Sequence, residues 1–94
     1  MQLTKTGKKF TLSDRERDAL KRTAILGGYV GTVQFRGPRG RVYRGIRTAV
    51  FMTAERALDE ADAISKRRYA HGARATEMAI YRINFLGYVE EQVA

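Results

Sequence analysis

Five arginines fall within twelve residues: Arg36, Arg39, Arg41, Arg44 and Arg47, with Tyr43 among them and Phe35 just before. A guanidinium stays charged at physiological pH. It presents forked donors that match phosphate oxygens and guanine edges, and it stacks on bases. Arginine at all five positions therefore points to recognition of a polyanion by shape as well as by charge. A second basic group follows at Lys66, Arg67 and Arg68, with Arg74 beyond it. The competing role for the first stretch is structural: Phe35, Tyr43 and Phe51 would fill a core while the arginines solubilise its outer face.

Residues suited to catalysis are sparse. His71 is the one histidine, and its place beside Gly72 reads as a helix C-cap. General acid–base chemistry and metal binding need a constellation around such a residue. Glu55, Asp59, Glu60 and Asp62 are interleaved with basic residues along one helical stretch, the pattern of a solvated face. The chain has no cysteine, which excludes disulfides, thiolate metal sites and cysteine nucleophiles and suits a reducing, cytoplasmic setting. No Walker loop, dinucleotide fingerprint or nucleophile elbow is present. Binding rather than catalysis is expected, with no cofactor and no metal.

The charge is unevenly spread. Of a net +8, residues 1–22 carry +4 and residues 23–52 carry +5, and no acid stands between Asp18 and Glu55. Such a field attracts polyanions and speeds their encounter. No apolar run exceeds four residues, as at Met78–Tyr81, against the ~20 that span a bilayer, so no membrane segment is expected.

These groups must be positioned by a small scaffold. The 94 residues fit one domain, residues 10–94, preceded by a flexible basic arm over 1–9. Ser13-Asp14-Arg15-Glu16 has the spacing of a capping box and predicts a helix from Asp14 to about Leu26, stopped at Gly27-Gly28. Its apolar stripe is Ala19, Leu20, Thr23 and Ala24. Alternation over Tyr29–Arg36 predicts a strand. Gly37-Pro38-Arg39-Gly40 predicts a turn, and Arg41–Phe51 the returning strand, with Gly45 marking a bulge. The Gly-x-x-Gly spacing of that turn is shared with the phosphate clamp of KH domains, but here it joins two strands rather than two helices.

Thr53 predicts the N-cap of a second helix over roughly 54–70, with Ala57, Leu58, Ala61 and Ile64 as its stripe. Met78–Val89 reads as one last strand, with Ala79, Tyr81, Ile83, Phe85 and Val89 on one face. The predicted fold class is α+β in the order α-β-β-α-β: three strands, mostly antiparallel, with both helices on one face and a last strand able to lie parallel to its neighbour.

Two functions suit this pattern. The first is a small basic nucleic-acid-binding protein whose arginine-rich hairpin contacts phosphates and bases of DNA or RNA. Its binding residues would be Arg36, Arg39, Arg41, Tyr43, Arg44 and Arg47, with Lys66, Arg67 and Arg68. The second is a protein-binding inhibitor or adaptor, of the kind bacteriophages and mobile elements encode, that places the same arginines on an acidic surface of a host nucleic-acid machine or defence complex. An exposed sheet edge would also allow a homodimer.

Overall fold

The capping box forms as its spacing requires. The Glu16 N–H donates to the Ser13 hydroxyl at 3.1 Å, and the Ser13 N–H donates to the Glu16 carboxylate at 3.0 Å. Helix α1, Asp14–Arg22, follows, and Leu20 is its buried residue. The chain is described as a computed structural model over residues 8–22, 27–40, 42–67 and 74–94. Thr23–Leu26, the expected end of this helix, therefore lie outside the described residues, as do Arg41, Arg68, His71 and Gly72.

Strand β1, Gly28–Arg36, pairs antiparallel with β2, Val42–Arg47, across the turn Pro38–Gly40. The register slips between Val33 and Phe35, so two residues of β2, Arg44 and Gly45, oppose Gln34. This is the bulge expected at Gly45. Helix α2, Ala54–Ser65, is capped by Thr53, whose side chain accepts from the Arg56 N–H at 3.2 Å. Its buried stripe is Ala57, Ala61 and Ile64, while Leu58, expected to join it, is exposed.

The last segment differs from its expected form. Strand β3 runs Arg74–Ile83, and the chain then reverses into β4, Val89–Gln92. The Asn84 side chain makes that turn by accepting the N–H groups of Leu86 and Tyr88 at 2.9 and 3.1 Å. Gly87 completes it at φ 95. Apolar and aromatic residues continue through the turn, so their pattern predicts one long strand; Phe85 instead sits exposed on the turn.

The sheet thus has four strands rather than three, in the order β2-β1-β3-β4, with every neighbouring pair antiparallel. β2 and β3 do run the same way, but β1 lies between them, so no parallel pair forms.

The helices take opposite faces of the sheet, not one face. β1 is apolar on both sides. Val33 and Phe35 pack with Ile80 and the α2 stripe. Val30 packs with Leu20, Phe10, Leu12, Ile83 and Val89. Gly31 lets α2 approach: a Cβ there would lie 3.0 Å from both the Ala61 Cβ and the Ile80 Cδ1.

Residues 8–12 form a strap over the α1 face. Lys8 accepts from the Val89 N–H at 3.0 Å, and the Phe10 N–H donates to Gly87 at 2.9 Å. At the other edge of the sheet, Arg47 donates to the Thr11 carbonyl at 2.9 Å. The last two residues of the expected arm are therefore tied to the sheet.

Arg47 locks the strap and α1 to β2. Its guanidinium spans both Glu16 carboxylate oxygens, at 3.0 and 3.3 Å, and also donates to the Thr48 carbonyl at 2.8 Å. Partial burial would raise the Glu16 pKa. The hydrogen bonds from Arg47 and Ser13 and the charge of Arg47 outweigh it, and the carboxyl is held below its ordinary value. The stabilisation is therefore complete above the unfolded glutamate pKa of ~4.3 and is lost as pH falls through the lower folded value. Urea unfolding at pH 7 and pH 3 should show that Glu16→Gln weakens this acid sensitivity. At pH 7, Arg47→Ala should cost about 2 kcal/mol, because it strands a half-buried carboxylate.

Candidate functional site

The hairpin tip places one arginine at its apex. Arg39 is held at φ 68, ψ 14, a left-handed conformation that costs a non-glycine residue about 1 kcal/mol. Gly40 follows at φ 77, and its N–H donates to Gly37 at 3.2 Å. Arg36 closes the turn by donating to the Gly40 carbonyl at 3.0 Å, which leaves its other donors for a ligand.

Register brings a further cation beside this tip. Arg74, the first residue of β3, lies directly opposite Arg36. Both are exposed. Like charges facing each other across a sheet repel, at a cost of several tenths of a kcal/mol. Arg74→Thr should therefore raise stability by about 0.5 kcal/mol, read in urea melts, while weakening any anion site at this end.

α2 packs on the opposite face of the sheet. It starts just after Phe51, which bridges to Tyr29, and Ala57 and Ala61 flank Gly31. One further turn carries Ile64 into the cluster of Phe35 and Ala75. Lys66, the C-cap, and Arg67 follow. Their ion pairs, Lys66–Asp62 at 3.0 Å and Arg67–Glu60 at 3.9 Å, are exposed and hold the cations weakly.

The residues expected to bind thus divide. Arg36 and Arg39 meet Arg74 at one end of the sheet, while Lys66 and Arg67 follow α2 on the opposite face. Arg47 is built into the scaffold. The Tyr43 backbone pairs with Phe35, and Arg44 occupies the bulge. Arg41 and Arg68 lie outside the described residues.

A trough lies on the α1 face of the sheet. It has a volume of about 870 Å³ and is floored by Thr32, Gln34, Gly45 and Ala79. The strap closes its far end, where the Lys8 ammonium sits 4.7 Å from the Tyr81 ring centroid and 5.3 Å from that of Phe10. Sequence reading missed this floor, because it depends on which half of a two-sided strand the strap leaves uncovered. Among the described residues, no group of three acids or histidines is placed to hold a metal, and no helix is long and apolar enough to cross a membrane.

The chain matches no protein-family model, and no curated protein or solved structure is significantly similar to it.

Proposed function

We propose that this small α+β protein binds nucleic acid through the arginine-bearing end of its sheet. The observation that carries the reading is the facing pair Arg36 and Arg74, with Arg39 beside it at the turn. Two mutually repelling guanidiniums and a left-handed arginine lower the stability of the free protein. A bound polyanion relieves the repulsion and uses their forked donors. Lys66 and Arg67 add charge at the end of α2, and no acid stands between Asp18 and Glu55.

Fluorescence anisotropy against labelled duplex DNA, single-stranded DNA and RNA, from low to physiological salt, tests this. Five phosphate contacts correspond to a log–log salt slope of about −4.5 on duplex and about −3.5 on single strands. Submicromolar binding with such slopes supports the reading. Binding that vanishes by physiological salt overturns it and favours an acidic protein surface as the partner of the same arginines.

A further inference from the structure

We infer that the trough on the α1 face is a track for a short single-stranded segment of nucleic acid, which the arginine tip clamps at one end. This rests on the nucleic-acid reading above and names its substrate class.

Cations stand at the strap end of the trough and beyond its other end. Arg36 and Arg74 stand just beyond Gln34 and Glu77, on the same face as Gln34 and Thr32 by strand alternation. Lys8 stands at the strap end over Tyr81, and Tyr81 is paired with Val30. Six residue steps along β1 separate the two levels, about 20 Å of extended chain.

The floor between them is different in kind. Gly45 and Ala79 are small, so the surface is flat, and Thr32 and Gln34 make it polar. Glu77, paired with Gln34, is the one acid among the residues that line it. A carboxylate there repels phosphate but accepts hydrogen bonds from base amino groups. Phosphates therefore suit the two ends, and base edges suit the middle.

Only unpaired bases can meet such a floor, since a duplex keeps its bases stacked inside and would press phosphates toward Glu77. An open sheet face of this size holds about two or three bases. Charged grooves that follow the backbone, with a base-contacting floor, are the general means of holding single strands.

The test measures anisotropy of labelled oligothymidylate and of a labelled DNA hairpin duplex on the wild type, on Ala79→Glu and Gln34→Ser, and on Arg36→Ala/Arg39→Ala/Arg74→Ala. Circular dichroism confirms that each variant is folded. The wild type should bind the single strand about tenfold more tightly than the duplex. Ala79→Glu should cut single-strand affinity about tenfold and Gln34→Ser about threefold, each leaving duplex affinity within about twofold. Gln34→Ser keeps the floor uncharged and small, so it serves should Ala79→Glu fail to fold. If the arginine variant loses binding while both floor variants match the wild type on the single strand, the track is wrong and the nucleic-acid reading stands. If the wild type binds neither probe, both fall.

Discussion

Replacing Gly87 by alanine should lower the free energy of unfolding by about 3 kcal/mol, which a urea titration followed by circular dichroism will measure. Gly87 sits at φ 95, outside the comfortable range of any L-residue. Its surroundings make matters worse: a Cβ would collide with the Phe10 carbonyl oxygen and come within 3.5 Å of the Leu12 side chain. The Gly87 carbonyl also accepts from the Phe10 N–H at 2.9 Å, so the strap and the turn between β3 and β4 meet at this residue. A side chain there would push the strap from the sheet and open the cluster of Phe10, Leu12 and Val30. Gly40 is the control. It too has positive φ, 77, but no atom lies within 4 Å of the position its Cβ would occupy. Gly40→Ala should cost only about 1 kcal/mol. Equal losses at the two glycines would show that backbone conformation alone, not the packing of the strap, sets the effect. For a domain whose whole stability is of order 5–10 kcal/mol, the larger loss is severe.

Replacing Arg36, Arg39 and Arg74 together by alanine should lower affinity for nucleic acid about a hundredfold at low salt, at roughly 1 kcal/mol for each charge-assisted contact. The salt slope should shrink by about 2 to 3 in the same titrations, since fewer counterions are released. The fold should survive. All three side chains are exposed, and removing the facing pair relieves repulsion. Arg47→Ala offers the contrast. Its guanidinium is held by Glu16, Thr11 and Thr48, so its loss should appear as instability rather than as a smaller salt slope. If Arg47→Ala shrinks the slope as much as a tip arginine does, the division of the arginines into tip and scaffold is wrong.

That division shows where local pattern stops being informative. Before folding, Arg36, Arg39, Arg41, Arg44 and Arg47 are equivalent members of one acid-free stretch. Glu16, thirty-one residues from Arg47, selects which of them becomes structural, and only the tertiary fold brings the two together. Arg74 is the reverse case. It reads locally as a companion of Lys66 and Arg67, and the pairing of β1 with β3 makes it the partner of Arg36.

Short-range chemistry was legible from the residues themselves. The Ser13–Glu16 box, the Thr53 cap, the Gly37–Gly40 turn and the bulge at Gly45 each depend on contacts within a few residues, or on the conformational needs of one of them. The α+β class followed from the same periodicities. Tertiary structure decided the rest. The fourth strand arises because Asn84 and Gly87 turn the chain inside an unbroken apolar pattern. The split of the helices between two faces arises because β1 is apolar on both sides, and alternation alone does not say which face each helix takes. The pairing of Arg36 with Arg74 and the floor of the trough depend on register, which is set by long-range packing rather than by any local sequence signal.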